Sequence, residues 1–221
     1  MTARTQPDGA RSRAHGQTHG QVRGARTRLT RERMLDTAEE LFGRHGYRET
    51  NLREVADRCE ISVGALYLHF QNKEDLLRGV IDRRAIVLMA RIRSFVEAPG
   101  QGLDLLIELT RAEVEFYRTY ADFGRLIGRL FSDGCPVMPQ LGDDIAHGYA
   151  AAMQLEAELI RRGQRDGTIR SGNADWLARL LAAMVGAYRG AEATRADGEP
   201  GLPDIQFLQM VRQAFAPAPP G

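Results

Sequence analysis

From Leu29 onward apolar residues return at steps of three and four, with Leu29, Met34, Leu35, Ala38, Leu41 and Phe42 on one helical face. Thr30 followed by Arg31, Glu32 and Arg33 makes a polar start, so the pattern predicts a helix of about four turns from Thr30. Gly46, in "RHGYRET", ends it, because a residue free to take positive φ closes a last turn. Tyr47 then turns back toward the core. Asn51 and Glu54 have the N-cap and N3 spacing of a capping box, which opens a short second helix, "LREVADRC", with Leu52, Val55 and Ala56 facing inward. "CEIS" is a turn, and Ser62 caps a third helix, Val63 to Phe70, in which Leu66 and Phe70 are spaced for burial. Two short helices joined by a tight turn and braced by a longer one form a helix-turn-helix.

Beyond "QNKEDLL" the helical period continues, with breaks where Gly and Pro cluster. The predicted segments are 74–97, ended by "APGQG"; 103–119; 121–131, ended by "SDGCPVMP"; 139–163; 173–191; and 204–215. No alternating strand pattern of useful length occurs. The expected fold class is all-α with about nine helices: residues 28–74 a helix-turn-helix domain, residues 75–217 a larger helical domain, and residues 1–27 a disordered basic arm.

Composition narrows the function. No apolar run approaches the roughly 18 residues of a membrane span, and the first 28 residues contain no apolar stretch suited to a signal peptide, so a cytoplasmic protein is expected. Cys59 and Cys135 are far apart, with no Cys-x-x-Cys or Cys/His cluster, and a disulfide framework or zinc site is not expected. His15 and His19 are four apart in a segment without helical pattern, and no metal site and no cofactor is expected there or elsewhere. Of 30 basic residues 29 are arginine, the exception being Lys73. Residues 1–27 carry five Arg against one Asp, residues 28–73 eight basic against eight acidic, and the remainder seventeen against twenty. A basic arm ahead of a neutral-to-acidic body fits a nucleic-acid-binding layout and fits a solubilising tail equally well.

The run "RERMLDTAEELFGRHGYRETNLREVADRCEISVGALYLHFQNKEDLL" strongly resembles the DNA-binding domain of TetR-family transcriptional repressors. The match covers Arg31 to Leu77. A helix ending Leu-Phe-x-x-x-Gly-Tyr, a helix carrying Val-Ala, and Ser-x-Gly-x-Leu-Tyr-x-His-Phe-x-x-Lys-Glu-x-Leu-Leu occur in the family's order. The resemblance implies that the third helix enters a major groove of double-stranded DNA, with Ser62, Val63, Gly64 and Ala65 at its groove-facing start. Val63 and Ala65 are limited to apolar contact with thymine methyls, leaving Arg53, beside the cap Asn51, as the candidate guanine reader. Tyr67, His69 and Lys73 match family positions that hold the DNA backbone, and a phenol, an imidazole and an ammonium can each donate to phosphate oxygens. Arg28, with Arg23 and Arg26, is a candidate arm contact. Glu60 departs from the pattern: relatives most often have Gly at this turn position, where a left-handed conformation costs another residue roughly 1–2 kcal/mol.

The same resemblance implies a homodimer through the helices near 173–191 and 204–215, a palindromic operator and a small-molecule effector. "LLAAMVGAYRGA" suits helix pairing, with Ala182, Ala183, Gly186 and Gly190 small and Leu180, Leu181, Met184 and Val185 apolar; packing within one chain would use the same residues. Phe116, Tyr117, Tyr120, Phe123, Met138, Tyr149, Met153 and Trp176 are candidates to line an effector pocket, which suggests a largely apolar or aromatic ligand, with His147 a candidate polar contact. Against an enzyme stands the absence of Gly-x-Ser-x-Gly, P-loop, dinucleotide fingerprint and metal-binding pair. A structural DNA-binding protein without effector is the third class left open.

Overall fold

The computed structural model describes the backbone of residues 11–132, 143–194 and 201–218, and the side chains of residues 27–130, 147–192 and 201–218. Among these residues the chain forms nine helices and no strand: α1 (Arg11–His45), α2 (Leu52–Arg58), α3 (Val63–Tyr67), α4 (Lys73–Glu97), α5 (Gly102–Thr119), α6 (Ala121–Ser132), α7 (Asp143–Arg165), α8 (Ala174–Thr194) and α9 (Asp204–Phe215). No described helix is long and apolar enough to cross a membrane.

Two of the boundaries that differ from those the sequence predicts have a local cause. The first helix begins at Arg11, running back through residues placed in a disordered arm; Pro7 is the last proline before it, and adding turns to a packed helix costs far less than nucleating one. Residues 1–10 of that arm lie outside the described residues. The third helix stops at Tyr67, because the Phe70 and His69 N–H groups both fold back onto the Leu66 carbonyl in a tightened last turn.

α2 ends in a Schellman closure: Ile61 N–H donates to the Ala56 carbonyl at 3.0 Å and Glu60 N–H to the Asp57 carbonyl at 3.1 Å, which requires a left-handed residue between them. Glu60 supplies it at φ 56°, the only non-glycine residue with positive φ among those described. The turn therefore takes a left-handed closure without a glycine.

The apolar side chains form two clusters. Met34, Leu35, Leu41, Phe42, Val55, Leu66, Phe70, Leu76, Leu77, Val80 and Ile81 make the first, and Phe116, Phe123, Leu126 and Leu130 from α5 and α6 complete it. The second gathers Ile92, Leu106, Leu109, Leu159, Ile160, Leu181, Val185, Phe207, Val211 and Phe215. α4 belongs to both, and Leu88 and Tyr117 touch both. At the joint α6 lies against α1 so closely that a Cβ on Gly43 would stand 2.3 Å from the Asp122 carbonyl oxygen. Charge reinforces the joint: Glu39, buried on α1, accepts from Arg83 Nη2 at 2.7 Å and Arg84 Nε at 2.8 Å, and the Arg84 guanidinium lies 3.8 Å from the centroid of the Tyr120 ring.

These two backbone positions respond to substitution with opposite signs. Glu60→Gly should raise stability by about 1 kcal/mol, the relief of left-handed strain less the entropy glycine adds to the unfolded chain. Gly43→Ala should lower it by about 1–3 kcal/mol, because the new methyl meets backbone and α6 must move. Chemical-denaturation midpoints at constant m-value measure both, and loss of stability in Glu60→Gly would contradict the strained turn.

Candidate nucleic-acid interface and a buried polar cluster

Three side-chain caps hold the helix-turn-helix in shape. Asn51 Oδ1 accepts from Glu54 N–H at 2.9 Å, Ser62 Oγ from Ala65 N–H at 3.1 Å, and Asn72 Oδ1 from Asp75 N–H at 2.7 Å. Asp75 Oδ2 in turn accepts the Gln71 N–H at 2.9 Å. Asn51 and Ser62 therefore have oxygens committed to starting α2 and α3, and they act on a ligand by placing the helices they cap.

Leu66 and Phe70 anchor α3 in the core, which leaves the remaining positions of that turn outside. Gly64 is exposed, Val63 and Ala65 are half-buried with Val63 packed on the first cluster, Tyr67 is 53% exposed and His69 half-buried. Arg53, one residue into α2, and Arg28, on α1, are exposed. Leu68, not among the candidates from sequence, is 87% exposed between Tyr67 and His69. The signal was available: with Leu66 and Phe70 inward, the residue midway between them must point away. An apolar side chain so placed is suited to sugar and methyl contact.

Lys73 is the first residue of α4 and is half-buried. Its Nζ lies 4.4 Å from the Tyr47 ring centroid and donates to the Arg48 carbonyl at 3.2 Å. Burial draws its pKa below the ordinary lysine value, opposed by Glu74 and Glu49. The ammonium thus ties the loop after α1 to the start of α4, across α2 and α3, and keeps two of its three protons for another acceptor.

The larger helical body holds a polar cluster that no sequence motif announces. Glu113 on α5 and Glu156 on α7 are 5% and 2% exposed and are hydrogen-bonded to each other. Burial pushes both carboxyls well above the ordinary range, and their mutual hydrogen bond favours the charge on Glu113 and the proton on Glu156. Arg189 on α8 adds a favourable charge near Glu113; its guanidinium lies 3.5 Å from the Tyr117 ring centroid, and Gly124 on α6 leaves room for its tip. Burial lowers the Arg189 pKa and raises that of Tyr117 to about 12. Glu156 Oε2 and Arg189 Nε are buried without a hydrogen-bond partner. Spacing along the chain gives no hint of this pair, because 43 residues separate its carboxylates in "AEVEF" and "LEAEL".

The aromatic candidates fall beside this cluster. Phe116 packs against Tyr117 at 5.2 Å, Tyr120 at 4.9 Å and Phe123 at 6.2 Å, all with rings steeply inclined, while Tyr117 and Phe123 stack at 6.4 Å. Tyr149, Met153 and Glu156 recur at helical spacing along one side of α7; Tyr149 is exposed and Met153 half-buried. Trp176 is not brought here. It is 69% exposed near the start of α8, with Arg179 over its ring at 5.5 Å, because α8 turns its Ala178, Leu181 and Val185 side inward. Met138 lies outside the described residues. Among those described, no group of three or more His, Cys, Asp or Glu could hold a metal ion.

Residues 34–80 match the family model described as "Bacterial regulatory proteins, tetR family". The chain is 27% identical over 155 residues to the HTH-type transcriptional regulator UidR of Escherichia coli, covering 69% of this chain and 76% of that one. It is 37% identical over 100 residues to the HTH-type transcriptional repressor KstR2 of Mycobacterium tuberculosis, covering 43% and 46% of the two chains. In fold it is similar to AibR, solved in complex with isovaleryl coenzyme A and operator DNA, with a TM-score of 0.71 at 20% identity over 85% of this chain and 98% of that one.

The acid pair sets a pH dependence of stability. Both native carboxyls are raised above the 4.5 of a free glutamate, so between that value and neutral pH the folded state holds more protons than the unfolded one, and stability falls as pH rises through the window. Glu156→Gln, which keeps the shape and a donor to Glu113, should flatten that fall. The melting temperatures of the two proteins should approach each other below pH 4.5 and diverge toward pH 8 in favour of the variant; parallel curves would contradict a shared proton.

Proposed function

Because the chain belongs to the tetR family of bacterial regulatory proteins, we propose that it is a repressor that binds a palindromic operator as a homodimer and leaves it when a small, largely apolar or aromatic molecule binds the helical body. The observation that carries this is the shared core. The helix-turn-helix is completed by Phe116, Phe123, Leu126 and Leu130, so a displacement of α5 or α6 by a ligand is felt at α1 and at the elements α1 braces. A ligand that binds the spread arrangement of the recognition helices better than the DNA-bound one shifts the population away from the operator.

Two further features support the reading. Outward on α8 and α9 stand Trp176, Leu180, Ala183, Ala187, Ile205 and Met210, with Leu202 ahead of α9, an apolar outer surface suited to pairing with its copy. Leu181 and Val185, by contrast, are spent inside one chain. At the other end Arg53, Tyr67, His69 and Lys73 combine one base-reading guanidinium with three phosphate donors, with Arg28 and Leu68 at the margin.

The operator is obtained by selecting duplexes from a randomised pool with the full chain, and fluorescence anisotropy against salt then separates the roles. Lys73→Ala should weaken binding to all duplexes and reduce the slope of log K against log salt by about one. Arg53→Ala should leave the slope of the phosphate term largely in place and relax discrimination at one base pair per half-site, at a cost of about 1–3 kcal/mol there. Enrichment of no duplex would sink the proposal. So would an enriched site without two-fold symmetry, or equal losses on every sequence for both variants.

A further inference from the structure

We propose that Glu113, Glu156 and Arg189 form the polar end of the effector site and select a molecule that carries a protonated amine on an apolar or aromatic body. The inference rests on the ligand-responsive reading above and gives it a ligand class. Two carboxylates face each other between α5 and α7 with one guanidinium beside them, so the fully ionised cluster has one negative charge in excess. A proton held on the pair offsets that charge. Neither packing nor folding calls for such an arrangement, since apolar residues of similar volume at buried ionic positions are commonly neutral or stabilising.

The hydrogen-bonding inventory points the same way. Glu156 Oε2 is buried without a hydrogen-bond partner, and Glu113 across from it is 5% exposed. An alkylammonium brings up to three donors and one positive charge, and takes the place of the shared proton. Glu156 then loses its proton to solvent, and the ammonium bridges the two carboxylates. A neutral alcohol offers no charge to displace the proton, and a ligand carboxylate would set a third negative group against a single guanidinium. The surroundings suit the body of such a molecule. Tyr117 lies under Arg189, Phe116 and Phe123 pack behind it, and Tyr149 and Met153 lead from Glu156 along α7 toward the exposed end. The titratable and charged groups that face the cluster are Tyr117 from α5, Tyr149 from α7 and Arg189 from α8, with Arg179 acting on Tyr149.

The test uses the full chain and calorimetry just below neutral pH, in two buffers of different ionisation enthalpy. The probes are hexylammonium and 2-phenylethylammonium, the corresponding alcohols hexanol and 2-phenylethanol, and the carboxylates hexanoate and 3-phenylpropanoate. The ammonium ions should bind with release of a proton, and the alcohols and carboxylates at least about tenfold more weakly. Glu156→Gln and Glu113→Gln, isosteric replacements whose folding is checked by melting, should each weaken the ammonium ions by about tenfold or more and abolish the proton release. Equal binding of alcohol and ammonium, no binding of either ammonium ion, or binding unaltered in both variants overturns the inference. Operator affinity, measured alongside, keeps the two readings apart. Ammonium ions that bind with proton release and leave operator affinity unchanged retain this site and sink the effector mechanism. A neutral or anionic probe that releases DNA while ammonium ions fail to bind does the reverse.

Discussion

The structure depends on one contact: α6 seated on α1, with Gly43 against the Asp122 backbone and four side chains of α5 and α6 closing the core of the helix-turn-helix. Three helices drawn from residues 30–70 are too few to bury a self-sufficient core, and domains of that size are commonly marginal. Phe116, Phe123, Leu126 and Leu130 are each almost fully enclosed, and burial of such side chains contributes roughly 1.5–3 kcal/mol apiece. Together that is comparable to the net stability of a whole domain, roughly 5–15 kcal/mol. The DNA-binding part is therefore not a bead on a string. It keeps its shape only while α5 and α6 keep theirs.

Two buried carboxylate sites show how differently the protein treats charge. Glu39, at the α1 joint, is met by Arg83 and Arg84, and Arg83 also reaches Glu32 and Asp36. Its oxygens are satisfied, and removing one partner would strand a charge, so this network fixes α4 on α1. Glu113 and Glu156 have the opposite character. They interact with each other and Glu156 Oε2 is left without a partner, whereas both Glu39 oxygens are met; Arg83 and Arg189 alike keep a buried Nε without one. Buried carboxylate oxygens are ordinarily hydrogen-bonded, so the spare Glu156 oxygen is what sets this pair apart from the Glu39 network.

Much of this was legible in the sequence because local rules agreed with the fold. The caps Asn51 and Ser62, the breaks at "APGQG", and the inward spacing of Leu66 and Phe70 needed no knowledge of distant residues, and α4 to α6, α8 and α9 begin and end within three residues of their predicted bounds. Where prediction fell short, the missing information was tertiary. The backward extension of α1 has no apolar periodicity to announce it. From sequence Lys73 stands only as a candidate phosphate donor, and its hold on Tyr47 and the Arg48 carbonyl depends on a loop 25 residues away. The acid pair is the clearest case: Glu113 and Glu156 each sit in an ordinary amphipathic helix, and only the crossing of α5 and α7 makes neighbours of them.

Seen together, these contacts form one continuous path. From Arg189, on which the charge of Glu113 acts, it runs onto Tyr117, through the inclined ring of Phe116 to Tyr120, and from Tyr120 to Arg84 and Glu39 on α1. Its links are ring contacts, guanidinium–ring contacts and, at Glu39, an ion pair, and close-packed interiors shift between discrete arrangements more readily than they deform. Glu113 is the carboxylate whose charge acts on Arg189, and Phe116 and Phe123, against which Tyr117 packs, are two of the four side chains that complete the helix-turn-helix. The helix-turn-helix and the polar site are thus joined by construction, because the former completes its core with side chains of α5 and α6, and α5 also carries Glu113.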